Sequence, residues 1–116
     1  MEKLPVAVLG ATGMVGQRLV QLLQDHPWFE LGALCASQRS AGRTYGQACT
    51  WRLPGEPPGC MDQLVLGCSP EAVGDRARVA LSALPSDTAL RTEAAFRDAG
   101  FAVVSNASAY RQDPLV

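Results

Sequence analysis

At 116 residues the chain is long enough to bury the core of one domain and too short for two. Ten basic side chains against eleven acidic ones leave a net charge of −1, so no electrostatic footprint for nucleic acid or an anionic membrane is expected. No apolar run approaches the roughly 20 residues that span a bilayer, and Met1-Glu2-Lys3-Leu4-Pro5 leads into an apolar run rather than a signal peptide, which predicts a cytoplasmic protein.

The cysteines, Cys35, Cys49, Cys60 and Cys68, form no CxxC pair, and His26 is the single histidine. They read as free thiols in a reducing compartment, and no metal site is expected, because zinc needs about four clustered Cys or His ligands.

Val6 to Leu9 predicts a first strand, continuously apolar as a central parallel strand covered on both faces should be. Gly10, Gly13 and Gly16 follow at intervals of three, where the strand pattern gives way to a helical one. At such a junction the first glycine allows a sharp turn, the second lets phosphates approach bare backbone, and the third lets the helix lie against the strand. The first amides of the helix have no intrahelical partner and sit at the positive end of its dipole, so a pyrophosphate fits there, with Thr12 adding a hydroxyl donor. The helix is expected over about Met14 to Gln24, ending before Pro27, with Val15, Leu19, Leu22 and Leu23 as its apolar stripe.

A second strand is expected over about Glu30 to Ala36. Beyond it lies Ser37-Gln38-Arg39-Ser40-Ala41-Gly42-Arg43, where a dinucleotide fold meets the adenine ribose. Enzymes that select NAD place an acid near this point, yet no Asp or Glu occurs between Glu30 and Glu56. Ser37, Arg39, Ser40 and Arg43 suit a 2′-phosphate instead, since a guanidinium can grip two phosphate oxygens, and NADP is preferred over NAD.

Thr44 to Cys60 is rich in proline and glycine, which predicts a loop with a short strand at Thr50 to Leu53 and Trp51 as a packing anchor. Gln63 to Cys68 reads as a third strand, with Cys35 and Cys68 as core residues. Ser69-Pro70-Glu71 reads as the cap and start of a short helical turn. Arg78 to Leu84 is the fourth strand. Ser86 or Asp87 is expected to cap a helix that runs to about Ala99 and closes at Gly100, and Phe101 to Ser105 is the fifth strand. The alternation predicts an α/β, Rossmann-type doubly wound, mostly parallel sheet, with ligand segments at the carboxyl ends of its strands.

Four blocks, Gly10-Ala11-Thr12-Gly13-Met14-Val15-Gly16-Gln17, Ala36-Ser37-Gln38-Arg39-Ser40-Ala41-Gly42, Ser82-Ala83-Leu84-Pro85-Ser86-Asp87 and Ser105-Asn106-Ala107-Ser108-Ala109-Tyr110-Arg111, together closely resemble aspartate-semialdehyde dehydrogenases. The region of Tyr45 and Trp51 looks most like the archaeal and fungal branch. The resemblance implies reduction of L-aspartyl-4-phosphate to aspartate semialdehyde with NADPH, the step that feeds lysine, methionine and threonine synthesis. In that family a cysteine attacks the acyl phosphate and a histidine handles the proton.

By the same resemblance Thr12, Gly13, Met14 and Val15 hold the pyrophosphate, in the turn shaped by Gly10 and Gly16, and Ser37, Arg39 and Ser40 hold the 2′-phosphate. Ser82, Ala83, Leu84, Pro85 and Ser86 line the nicotinamide half, Asn106 bonds near it, and Arg111 takes the phosphate of the acyl-phosphate substrate. No cysteine here lies in the family's nucleophile motif, and His26 lies away from the ligand edge. Residues 1–116 are therefore expected to form an NADP-binding domain without turnover of its own, with a catalytic and dimerisation domain following Val116 in a homo-oligomeric full-length protein.

Other readings of the same residues remain: the cofactor domain of a related reductase acting on N-acetylglutamyl phosphate or malonyl-CoA, or a non-catalytic NADP-binding module. A short-chain reductase also uses this glycine turn, but it needs a Tyr-x-x-x-Lys pair and the chain has Lys3 alone.

Overall fold

A computed structural model of the chain describes residues 3–24, 26–37, 39–54, 58–84 and 86–105. Five parallel strands form one sheet in the order β3-β2-β1-β4-β5, where β1 is Leu4–Leu9, β2 Phe29–Ala36, β3 Val65–Gly67, β4 Val79–Ser82 and β5 Ala102–Ser105. The central strand alternates its side chains between two cores. Val6 and Val8 join Val20 and Leu23 of α1 (Met14–Leu23) and Tyr45 of α2 (Tyr45–Ala48) on one face. Ala7 and Leu9 join Val73 of α3 (Pro70–Val73) and Phe96 of α4 (Ser86–Asp98) on the other. This is the expected Rossmann-type architecture, and β1 lies where the strand order reverses.

Sterics at the first turn fix how α1 sits. Gly10 has φ +82°, a conformation that side chains with a Cβ resist. At Gly16 a Cβ would overlap the Gly10 carbonyl oxygen and lie 2.7 Å from Ala11 Cα. This contact turns Gly16, Gln17, Val20 and Leu23 toward the sheet. The expected stripe is corrected accordingly: Leu19 packs against the core, but Val15 and Leu22 are 43% and 58% exposed. Leu22 instead borders an apolar groove of about 280 Å³ with Leu19, Phe29, Leu81 and Val104. Among the described residues, no helix covers the β4–β5 half of that face.

The segment after β2 departs most from expectation. No strand forms at Thr50 to Leu53. Its backbone groups are taken by a side chain: Gln17 Nε2 donates to the Thr50 carbonyl at 3.1 Å, and the Arg52 N–H donates to Gln17 Oε1 at 2.9 Å. One helical turn, α2, appears in what reads as loop, because Thr44 and Gln47 form a reciprocal capping box. Trp51 is the expected packing anchor, edge-on to Tyr45 with ring centroids 6.5 Å apart.

The third strand is shorter than Gln63 to Cys68, since the Gln63 N–H closes a 3₁₀ turn over Gly59–Asp62 on the Cys60 carbonyl. Ser69 caps α3 as expected, its Oγ accepting from the Ala72 N–H at 3.2 Å. The fourth and fifth strands start one residue later than expected, and the fourth stops at Ser82. The last helix is already helical at Ser86, so neither Ser86 nor Asp87 is the residue ahead of it as expected, and Pro85 lies outside the described residues.

The close seat of α1 makes Gly16→Ala a direct test. A methyl against backbone cannot be relieved by a rotamer change, and overpacking of this kind costs about 1–3 kcal/mol. Urea denaturation of the variant should show that loss. An unchanged midpoint would contradict the described seat of the helix.

Candidate functional site

The carboxyl ends of β1, β2 and β4 bring the described residues of three expected segments to one edge of the sheet: residues 10–16, 37, 39–43 and 82–84. Hydrogen bonds tie the glycine turn to its neighbours. The Gly10 and Ala11 N–H groups both donate to the Cys35 carbonyl at 2.9 Å, and the Ala83 N–H donates to the Leu9 carbonyl at 2.8 Å. The Gly13 N–H donates to the Gly10 carbonyl at 3.3 Å.

The start of α1 has the character of an anion site. Its N-cap is Gly13, no side chain caps it, and its first turn carries no acid. A purely structural helix start would favour Ser, Thr, Asp or Asn at the cap. Among the described residues, nothing accepts a hydrogen bond from the N–H of Thr12, Met14 or Val15, nor from the Thr12 hydroxyl. These donors stand at the positive end of the helix dipole, next to Gly13, which is exposed with no side chain in front of it.

The segment expected to meet the adenine ribose is formed as a bracket. The Ser37 carbonyl accepts from the Ser40 and Ala41 N–H groups at 2.9 and 3.1 Å, while Gly42 and Arg43 exchange backbone bonds of 2.8 Å with Val65 at the start of β3. Ser37, Arg39 and Arg43 are exposed and Ser40 is half-buried, so each is free to meet a ligand at this edge.

Ser82 behaves differently from the other expected cofactor residues. It is buried at 1% exposure, on the same face as Ala80, and its Oγ accepts from the Leu84 N–H at 3.5 Å. Its hydroxyl meets the Ala83–Leu84 stretch from behind, and Leu84 packs against the core of that face. Pro85, the Ser86 side chain, Asn106 and Arg111 lie outside the described residues.

Two side chains behind the turn carry no role in the sequence reading. The Tyr45 hydroxyl donates to the Ala11 carbonyl at 2.7 Å, and Gln17 Nε2 donates to the Thr12 carbonyl at 3.2 Å. Both residues are buried. The usable signal was a glutamine directly after the glycine that seats the helix, where a buried polar group must find partners.

His26 lies at the opposite end of β2, as expected, where its Nδ1 accepts from the Trp28 and Phe29 N–H groups at 3.1 and 3.2 Å. It is a turn residue. Pairing with the neighbouring Cys68 thiol, together with burial, pushes Cys35 far above the ordinary thiol range. The same pairing, helped by the Gly10 N–H, lowers Cys68. Burial raises Cys49 and Cys60.

The family profile described as semialdehyde dehydrogenase, NAD binding domain, matches residues 5–116. The chain belongs to this family. Among semialdehyde dehydrogenases, the aspartate-semialdehyde dehydrogenase of the archaeon Methanothermobacter thermautotrophicus is 50% identical over 112 residues, 96% of this chain and 32% of that protein. That of the fungus Cryptococcus neoformans is 47% identical over 115 residues, 97% of this chain and 32% of the relative. A crystal structure of the Candida albicans enzyme with NADP superposes with a TM-score of 0.87 at 44% identity, covering 97% of this chain and 32% of that one. The archaeal and fungal likeness read at Tyr45 and Trp51 holds. The chain spans about a third of the length of these semialdehyde dehydrogenases.

The thiol environments predict an order of alkylation by iodoacetamide, because the thiolate is the reacting form. Cys68 lines an open cavity with Ser69, Glu71 and Arg91, and its lowered pKa shifts its rate profile to lower pH than those of Cys49 and Cys60. Peptide mapping across a pH series should find Cys68 labelled first and Cys35 last. Earlier labelling of Cys49 or Cys60 would contradict the thiol pairing.

Proposed function

We propose that this chain is the NADP-binding part of an aspartate-semialdehyde dehydrogenase. On this reading the full-length protein reduces L-aspartyl-4-phosphate to L-aspartate 4-semialdehyde with NADPH and releases phosphate, in lysine, methionine and threonine biosynthesis. The observation that carries the reading is the uncapped, acid-free start of α1, where Thr12, Met14 and Val15 offer free N–H groups beside Gly13. Identities of 43–50% to archaeal and fungal aspartate-semialdehyde dehydrogenases support the choice of substrate over other acyl phosphates or acyl-CoA esters.

Each segment of the edge has a separate task. The Thr12, Met14 and Val15 amides and the Thr12 hydroxyl bind the pyrophosphate. Arg39, with Ser37 and Ser40, binds the 2′-phosphate through charge-assisted hydrogen bonds. Ala83 and Leu84 offer backbone and an apolar wall to the nicotinamide half, and Ser82 holds that turn in shape. Asn106 and Arg111 are assigned to the nicotinamide and the substrate phosphate by resemblance alone. Bound NADPH supplies the hydride.

The nucleophilic cysteine and the histidine belong, on this reading, to the two thirds of the relatives that this chain does not span, so the domain alone turns nothing over. The same reading carries a cytoplasmic location and a homo-oligomeric full-length enzyme. Among the described residues, no helix is long and apolar enough to cross a membrane.

Calorimetric titration of the chain should show NADPH binding more tightly than NADH. Arg39→Ala should weaken NADPH by on the order of 1–3 kcal/mol, as for a lost charged hydrogen bond, and leave NADH nearly unchanged. Equal affinities for the two nucleotides in the unmodified chain would remove the role given to Arg39.

A further inference from the structure

We propose that Tyr45 and Gln17 are positioning residues for the pyrophosphate: they hold two carbonyls of the glycine turn from behind, so that Tyr45 aims the Thr12 N–H at the ligand and Gln17 fixes the peptide that follows it. The inference rests on the nucleotide reading above and adds two residues to it that touch no ligand. In a trans peptide the C=O and N–H groups point in opposite directions, and the described chain has no cis peptide. The carbonyl of Ala11 and the N–H of Thr12 belong to one peptide plane. The carbonyl of Thr12 and the N–H of Gly13 belong to the next.

Tyr45 lies at 0% exposure, so its hydroxyl approaches the Ala11 carbonyl from inside the protein, at 2.7 Å. The Thr12 N–H is thereby turned outward, and it has no acceptor among the described residues. Gln17, at 1% exposure, holds the Thr12 carbonyl in the same way at 3.2 Å, and its other contacts, to Thr50 and Arg52, keep the amide from rotating. The N–H side of the second plane is held too, by the bond from the Gly13 N–H to the Gly10 carbonyl, so this amide steadies the turn and is not offered to the ligand.

Without these two grips the turn is a run of small residues whose peptides can rotate. Amides that must be reoriented as the anion arrives bind it less well than amides already fixed, because the ordering cost falls on binding. Burial pushes the Tyr45 phenol far above its ordinary range, which favours the protonated, hydrogen-donating form. The same two residues tie α2 and the Thr50–Arg52 stretch to the turn, which explains why that segment follows an irregular path instead of forming a strand.

The test compares two probes on the unmodified chain and on Tyr45→Phe, which keeps the ring and removes the hydroxyl. NADPH has a pyrophosphate; adenosine 2′-monophosphate has only the ribose phosphate. The variant should bind NADPH on the order of five- to tenfold more weakly, the effect of one hydrogen bond, while its affinity for adenosine 2′-monophosphate stays as in the parent. A general loss of structure would lower both together, and that result, or an unchanged NADPH affinity, overturns the proposal. If Tyr45→Phe does not fold, Gln17→Met reads the same prediction through the Thr12 carbonyl. Failure of the unmodified chain to bind NADPH at all would strike the nucleotide reading itself, whereas tight NADPH binding in both the parent and the variant would strike only the positioning role.

Discussion

The approach of the Gly16 backbone to the Gly10 carbonyl sets the seat of α1, and much of the domain follows from that seat. With no side chain between them, helix and turn touch through backbone atoms, and a Cβ at Gly16 would fall on an oxygen with nowhere to move. This fixes the roll of the helix. Val20 and Leu23 enter the core, Gln17 points back under the turn, and the unsatisfied first amides of the helix come to the carboxyl end of the central strand. Residues at the same edge from β2 and β4 then lie on either side of those amides.

Seen from this contact, the site has an outer and an inner layer. Outside are free donors and exposed side chains: Thr12, Met14 and Val15 on the turn, Ser37, Arg39 and Arg43 on the bracket after β2. Inside are buried polar groups that meet the backbone of the same loops, namely Tyr45 on Ala11, Gln17 on Thr12 and Ser82 on Leu84. The inner groups bury their polar atoms at little cost because each has a backbone partner. Their position makes a loop of small residues rigid, which suits a site that must present bare amides to a charged ligand.

Much of the fold was legible from the chain because its strong local signals agree with one another. Continuous apolar strands, a glycine turn opening a helix, Ser69 ahead of Pro70, and Gly100 after α4 each point to the same alternating architecture. Legibility failed where partners are distant in sequence. Thr50 to Leu53 resembles a strand locally, but its backbone groups are taken by Gln17, more than thirty residues earlier. The exposure of Val15 and Leu22 follows from a steric contact at Gly16 that hydrophobic spacing does not encode. Within the site, the outer donors were visible as motif residues. Tyr45 was not, since a buried tyrosine shows its function only through the carbonyl it reaches, and Ser82 turned out to face the core.

The central claim is that the uncapped start of α1 is where the dinucleotide's pyrophosphate sits. Amide chemical-shift mapping of the isotopically labelled chain during titration with NADPH tests it most directly. The account predicts the largest changes at Thr12, Gly13, Met14 and Val15, with a second group at Ser37 to Arg43. Changes centred instead on Gly74 to Arg78 at the opposite edge of the sheet, or the absence of any change at saturating nucleotide, would contradict it.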